Sequence, residues 1–565
     1  MAASRKWLRL VALGLLVAGA ALAIAYPQTA GLAVGLPLLA LFSVARMFAA
    51  YALSLVFAIA YGTTMAVSKR AAVIMLPVLD ILQSVPILGF FPAALVFFVA
   101  AFQGHPIGLE LAVVFLIFTS MAWNMAFGVY ESITTIPEDL KDAAASFAVR
   151  DWLRLRRLVL PATVPKLVYN SMLSWSNGWF FLVASEIFSA VGGATYRRPG
   201  LGAFIAEQGN AGDLGGILLG LAVLAGVVLA LDALLWRPLS VWSERFHLET
   251  TGTGQPVPRL QSPYERLSWL PRFTRPRQWL AVRMRPVGRA VARLVTRLDS
   301  ATRAHRHMIR TLRWVDLGLF TIIFVFVVGA GLIGLGNLLL KPLPPAASGI
   351  PGATLRSFSR LALAYGIALG WTIPAAAFLG RNRRASRVLT PVIEVSASLP
   401  ATALLPVILG LAIAVTQDIG QQAELAALLI ALFSMQWYLL FNLIAGVRAI
   451  PADLDEAARS FGLRGLTYWR RLLLPAMAPS LLTGSITAWG AGWNALIVSE
   501  YIRYNNVLYS TNGIGYLMDV ATFDVPDGEL LLLSILTMVL VVLAMNKLLW
   551  RPLFKRAAIK YRLEV

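Results

Sequence analysis

The sequence predicts an all-α, polytopic membrane protein of two parallel six-span repeats, with about 12 transmembrane helices in all. Three observations carry that prediction. The 565 residues are 58% hydrophobic and only 14% charged, whereas soluble domains carry roughly a quarter charged residues. Apolar runs long enough to cross a hydrocarbon core of ~30 Å recur along the whole chain. One thirty-residue stretch is written twice, at 136–165 and 450–479, with sixteen identical positions and no gap.

Taken in order, the apolar runs lie near 7–25, 47–67, 84–102, 107–130, 168–190 and 214–236, then near 314–338, 361–380, 398–416, 423–445, 482–502 and 529–550. The first run follows Arg5 and Lys6 and could pass for a cleaved leader. Its counterpart near 314–338 is internal, so 7–25 is read as a retained span. The register of the duplication, 314 residues, extends far beyond the repeated thirty. It pairs Arg46 with Arg360, Pro86 with Pro400, Glu110 with Glu424, Trp179 with Trp493, Glu186 with Glu500 and Trp236-Arg237-Pro238 with Trp550-Arg551-Pro552. An even number of spans per repeat gives both copies the same orientation, related by an axis along the membrane normal. The expected organisation is one unit over 1–238, a basic linker over 239–313 and a second unit over 314–565.

A net charge of +21 invites a nucleic-acid reading, but its distribution argues for membrane topology. Sixteen Arg and four acidic residues fall between Arg237 and Arg313. More cations stand at both termini and in the short loops at Lys69-Arg70 and Arg381–Arg384. All share one side if the N-terminus is cytoplasmic, as the positive-inside rule asks. The stretch 279–297 intersperses Leu280, Val287, Val291 and Leu294 with arginines, the pattern of an amphipathic helix on the inner leaflet. With no cysteine, thiolate metal sites and disulfides are excluded. The four histidines form no metalloprotease-like spacing, and no metal site is expected.

Each copy of the duplicated stretch is a polar island between the fourth and fifth spans of its unit. Pro137 and Pro451 suit a helix start, and acids follow at once, where the helix dipole favours them. Then come Asp142, Ala143, Ala144 and Phe147 in the first copy, and Glu456, Ala457, Ala458, Phe461 and Gly462 in the second. A short cytoplasmic helix with small side chains and one exposed Phe suits insertion into a partner's groove. The alternative is an amphipathic connection packed on the membrane surface, and two copies at one register favour docking.

The second copy, with Glu456-Ala457-Ala458, Gly462, Leu472 and Leu474-Pro475, resembles the EAA loop of ABC importer permeases. The first departs at Asp142, Ala148 and Leu158. The Pro86–Pro92 segment, Trp179 with Ser185-Glu186, and Gly200-Leu201-Gly202 or Gly513-Ile514-Gly515 are similar to the nitrate, sulfonate, taurine and bicarbonate permeases. That resemblance implies two fused permeases, each loop docking on a separate ATPase subunit, with a solute-binding protein as a possible further partner. It also implies that ATP and magnesium are held by the ATPase and no cofactor by this chain. The chain itself has no Gly-Lys dipeptide and hence no phosphate-binding loop. It is therefore expected not to be an enzyme.

The expected solute path includes Trp179, Ser185, Glu186, Trp493, Ser499 and Glu500, because a carboxylate in hydrocarbon costs ~2.5 kcal/mol or more and normally faces a cavity or a partner. Asp80, Gln83 and Glu394 join the list. In sulfonate and taurine permeases a basic residue often stands where this chain has Gln83 and Ala397, so a cation or neutral solute is open beside a small anion. Two alternatives stay open as well. Glu186 and Glu500 could carry protons in a secondary transporter, or act as buried acids capped by backbone amides, Ser185 and Ser499.

Overall fold

The computed structural model describes residues 31–32, 34–84, 86–147, 151–191, 198–246, 342–505 and 507–560. The expected spans at 7–25 and 314–338 and the amphipathic stretch 279–297 lie outside those residues. The described elements are helical apart from one small hairpin. The first repeat contains α1 (Leu36–Val67), α2 (Lys69–Ser84), α3 (Ile87–Ala101), α4 (Pro106–Thr134), α5 (Glu138–Ser146), α6 (Leu160–Val191), α7 (Leu201–Asn210), α8 (Leu214–Leu231) and α9 (Arg237–Ser243). The second contains α10 (Ile350–Arg381), α11 (Arg383–Ser398), α12 (Leu405–Val415), α13 (Ile419–Arg448), α14 (Ala452–Ser460) and α15 (Leu474–Ser499). After these come β1 (Tyr501–Tyr504), β2 (Val507–Ser510), α16 (Ile514–Asp519), α17 (Gly528–Met545) and α18 (Arg551–Lys560).

The duplication is visible in the element boundaries. Helices α1 and α10, α2 and α11, α5 and α14, and α8 and α17 begin and end at the same register, 314 residues apart. Even irregular turns repeat. A π turn occupies Leu155–Val159 and Trp469–Leu473, and another occupies Asp232–Trp236 and Asn546–Trp550. Wider turns of this kind arise where one extra residue enters the helical ladder. In the second pair the next helix opens with Arg-Pro, where proline is tolerated near a helix start.

Seven of the described helical segments are long and apolar enough to cross a membrane, with bounds Leu36–Val67, Pro106–Thr134, Leu214–Phe246, Pro345–Arg381, Ile419–Arg448, Gly465–Ser499 and Gly528–Phe554. Helix α6 matches their length, with Lys166, Asn170 and Asn177 making it more polar. The runs near 84–102 and 398–416 fold differently from the expected spans. They carry helices of 15 and 11 residues, which at 1.5 Å per residue fall short of a ~30 Å core. Pro86 and Pro400 are the cause. A residue before proline is pushed out of the α region, so α2 and α11 end just ahead of each proline.

The chain divides into two compact units. One comprises Met1–Thr134, Tyr169–Trp236 and Pro345–Val565, and the other Thr135–Val168 and Arg237–Pro344. In the first unit the two repeats cross over each other. The Leu88 amide of α3 donates to Asn494 of α15 at 3.1 Å, and the Thr402 hydroxyl donates to the Phe180 carbonyl of α6 at 3.2 Å. Small residues permit the helix crossings within each repeat. A Cβ at Gly178 would collide with Met47 and Met121, and one at Gly492 with Leu361 and Met435. In the other unit, α5 carries an exposed Lys141–Glu138 pair at 2.9 Å, and Trp242 packs edge-on against Phe246.

The apolar pattern does not foresee the hairpin. Its strands are antiparallel, with Tyr501 opposite Ser510 and Tyr504 opposite Val507. Tyr, Ile and Val favour strands, and Asn505 takes the left-handed conformation (φ 50) needed at the tight turn.

Candidate functional site

Two features bring charged residues together, the first at matching places in both repeats. The first is a guanidinium network in the first compact unit. Arg46 of α1 clasps Glu110 of α4 through two bonds, Nε at 2.7 Å and Nη2 at 2.8 Å. Its Nη1 donates to Glu186 of α6 at 2.8 Å and to the Pro199 carbonyl at 2.8 Å. The same Glu186 carboxylate accepts from the Ser43 hydroxyl and the Gly202 amide, each at 2.8 Å. Glu186 is 0% exposed.

The second repeat rebuilds the arrangement. Arg360 donates Nε and Nη2 to Glu424 at 2.8 and 2.7 Å, and Nη1 to Glu500. Glu500, also 0% exposed, accepts from Ser357 at 2.5 Å and from the Gly515 amide at 2.8 Å. Thr511 adds a bond to Glu424 at 2.5 Å. The glycines are required by close approach, because a Cβ at Gly200 or Gly513 would overlap the Glu186 or Glu500 carboxylate. A buried ion pair survives only when its remaining lone pairs and protons are met by further hydrogen bonds, and each network supplies them.

Sequence reasoning finds Glu186 and Glu500 but not their partners. Their hydroxyl partners are Ser43 and Ser357. Ser185 and Ser499 instead donate to the Leu182 and Leu496 carbonyls of their own helices. The signal is present, since Arg46 and Glu110 recur at Arg360 and Glu424, and opposite charges kept inside spans of both copies are candidates for an internal pair.

The second feature is the polar loop. In the second repeat, α14 ends in a Schellman cap. The Leu463 amide bonds back to the Ala458 carbonyl at 2.9 Å and the Gly462 amide to the Arg459 carbonyl at 3.0 Å, with Gly462 at φ +70. Glycine belongs there because a left-handed residue is costly for side chains with a Cβ. Beside the cap Phe461 is 83% exposed, as Phe147 is 82% exposed after α5. Asp142, Ala143, Glu456 and Ala457 are exposed, Ala144 is half-buried and Ala458 is buried. The expected small-residue face is therefore split between solvent and core. Ala148, the counterpart of Gly462, lies outside the described residues.

A family profile for the binding-protein-dependent transport system inner membrane component matches residues 51–235 and again 362–549. The chain belongs to that family. Both permease units of the family are thus present in one polypeptide. It is 29% identical to the bicarbonate transport system permease protein CmpB of Synechococcus elongatus, over 29% of this chain and 55% of that protein. It is 28% identical to the nitrate import permease protein NrtB of the same organism, over 34% of this chain and 65% of that protein. It is 27% identical to the taurine transport system permease protein TauC of Escherichia coli, over 29% and 55% respectively. The chain thus spans between about half and two thirds of the length of these relatives.

Within the permease units, Trp179 and Trp493 are buried. Trp179 joins an edge-to-face aromatic cluster with Trp175, which also meets Tyr51 and Trp236. In the second unit Trp489 plays the part of Trp175, against Tyr365 and Trp550. Gln83 and Glu394 are exposed on α2 and α11, apart from both networks, and Asp80 occupies α2 as well. The structure therefore brings Glu186 or Glu500 together with an arginine, a serine and a glycine amide. It does not gather the whole expected path at one point.

The two permease loops also differ in how they are held. Asp455 of α14 accepts from the Tyr468 hydroxyl at 2.6 Å, from Arg459 at 2.7 Å and from Arg381 at 3.1 Å. The Arg381 guanidinium lies over the Tyr468 ring at 4.7 Å. The corresponding positions of the first repeat are Lys141, Ala145, Arg154 and Val67, which cannot form this clasp. The Tyr468 hydrogen bond, followed by the arginines, holds the Asp455 carboxyl below its usual range. A depressed folded pKa stabilises above the unfolded value, near ~4, and that contribution is lost as pH falls through the folded value. Asp455→Asn should raise amide exchange across 452–460 at neutral pH, while the wild type loses protection only in acid. Equal exchange in the two proteins at pH 7 would show that the clasp does not hold the loop.

Proposed function

We propose that this chain supplies two membrane-spanning permease units of an ATP-driven importer, with α5 and α14 as the docking helices for two separate ATPase subunits. The observation that carries the reading is the pair of nearly fully exposed phenylalanines, Phe147 and Phe461, at one register of two short polar helices. An exposed aromatic beside small residues suits a hot-spot contact in a partner's groove. ATP hydrolysis then resides on the partner, and both loops face the cytoplasm. The clasp at Asp455 supports a stiffer second contact than first.

The solute in this reading is a small oxyanion or sulfonate. The support is the company of relatives named for bicarbonate, nitrate and taurine. The networks around Glu186 and Glu500 weigh against a proton-relay role. Each carboxylate is fully enclosed and accepts from an arginine, a serine and a backbone amide of its own repeat. The test is reconstitution in proteoliposomes with the co-purified ATPase. ATP-dependent uptake of nitrate, bicarbonate or taurine is expected. Uptake driven by a proton gradient without ATP would overturn the proposal.

A further inference from the structure

Where α10 ends, the second repeat opens a crevice of about 700 Å³. One wall is apolar, made by Ala377, Phe378 and Leu473, with Trp469 beside it and Arg381 and Arg384 at the rim. The crevice lies at the polar end of the candidate span Pro345–Arg381, on the side of the polar loop. An amphiphile is matched by that division, with hydrocarbon against the apolar wall and a negative head at the arginines. Tryptophan at such a depth is the usual companion of lipid head groups, and basic pockets between spanning helices take anionic ones.

The charge balance favours an anion. Of the residues lining the crevice two are cations and none is acidic. Arg381 shares the Asp455 carboxylate with Arg459, and Arg384 adds a second cation at the crevice. The start of α11 is not the attraction, since the Asn382 side chain already accepts from the Arg384 and Ala385 amides at 3.0 Å each. A soluble anion would leave the apolar wall unused. In the first repeat the positions of Arg381, Arg384, Phe378 and Trp469 hold Val67, Arg70, Thr64 and Leu155. We propose that this crevice binds one anionic glycerophospholipid per chain, its phosphate held by Arg384 and Arg381.

The experiment uses the full chain, purified with its ATPase, delipidated, and titrated with phosphatidylglycerol or phosphatidylcholine under native mass spectrometry. One phosphatidylglycerol should be retained per chain, in preference to phosphatidylcholine. Arg384→Gln should weaken retention roughly fivefold, the share of one basic contact at an anionic lipid surface. Arg384→Lys should restore it, and Arg70→Gln should leave it unchanged. Because Arg384 is exposed, these variants keep the folded core, which a thermal melt in phosphatidylcholine checks. Equal retention of the two lipids, or no loss in Arg384→Gln, overturns the proposal. Displacement of the lipid by inorganic phosphate at millimolar concentration does so too, by assigning the crevice to a soluble anion.

Discussion

Arg360→Met should strip the chain of most of its folded yield. Glu500 is fully enclosed and its guanidinium partner comes from Arg360, so the substitution leaves a buried carboxylate without its counter-charge. Breaking a buried pair on one side costs about 3–5 kcal/mol, a large part of the ~5–15 kcal/mol that keeps a typical protein folded. Glu424 suffers less, because its side chain is half exposed and water can replace the bond. The measurement is the monodisperse fraction after solubilisation, together with the thermal midpoint. Adding Glu500→Leu to Arg360→Met should recover much of the loss, since replacing both partners by apolar groups is often neutral. A single variant as stable as wild type would show that the network is ornamental to folding. Arg46→Met tests the same point in the first repeat.

On the docking role proposed above, Gly462→Val should uncouple ATP hydrolysis from transport while the chain still inserts. A Cβ at Gly462 would meet nothing within 4 Å, so crowding is not the issue. The cost is the left-handed backbone, φ +70, which a β-branched residue resists by ~1–2 kcal/mol. The Schellman cap would open and turn Phe461 and Glu456 away from their present directions. Transport should fall at least ~10-fold, as expected when a hot-spot contact worth about 1.4 kcal/mol or more is lost, while the ATPase subunits keep hydrolysing. Gly462→Asn is the control, because Asn tolerates the left-handed region and should retain most transport. Equal losses in Val and Asn would shift the explanation from backbone shape to surface chemistry. Full transport in Gly462→Val would refute the docking role of this loop.

The architecture is legible to the extent that it is written twice. Periodic apolar runs place α4, α8, α13 and α17 within a few residues and find the end of α1 but not its start at Leu36, and the doubled polar stretch locates α5 and α14. The short helices α3 and α12 are hidden because hydropathy sums over a window and does not register that Pro86 and Pro400 interrupt the ladder. The partners of Glu186 and Glu500 are hidden for another reason. Arg46 and Glu110 are 64 residues apart, and Arg46 and Glu186 are 140 apart. Neither spacing is a helical period, so nothing local says that the first described helix of a repeat meets the ends of the fourth and fifth spans. The clasp at Asp455 is obscured by the repeat itself. Attention to what the copies share passes over positions where one copy holds Asp, Arg and Tyr and the other Lys, Ala and Arg.

One consequence of the guanidinium networks concerns movement. In each repeat a single arginine fastens three separate stretches, and in the first these are α1, the start of α4 and the junction between α6 and α7. Sliding any one of them past the others would separate a buried anion from its cation. Between the repeats no ion pair is seen among the described residues: α3 meets α15 through the Leu88 amide, α6 meets Thr402, and the Asn505 amide meets the Gly209 carbonyl, with apolar packing around them. Apolar surfaces can slide without separating charges, so a relative shift of the two repeats costs none of these ion pairs, whereas a shift inside either repeat does.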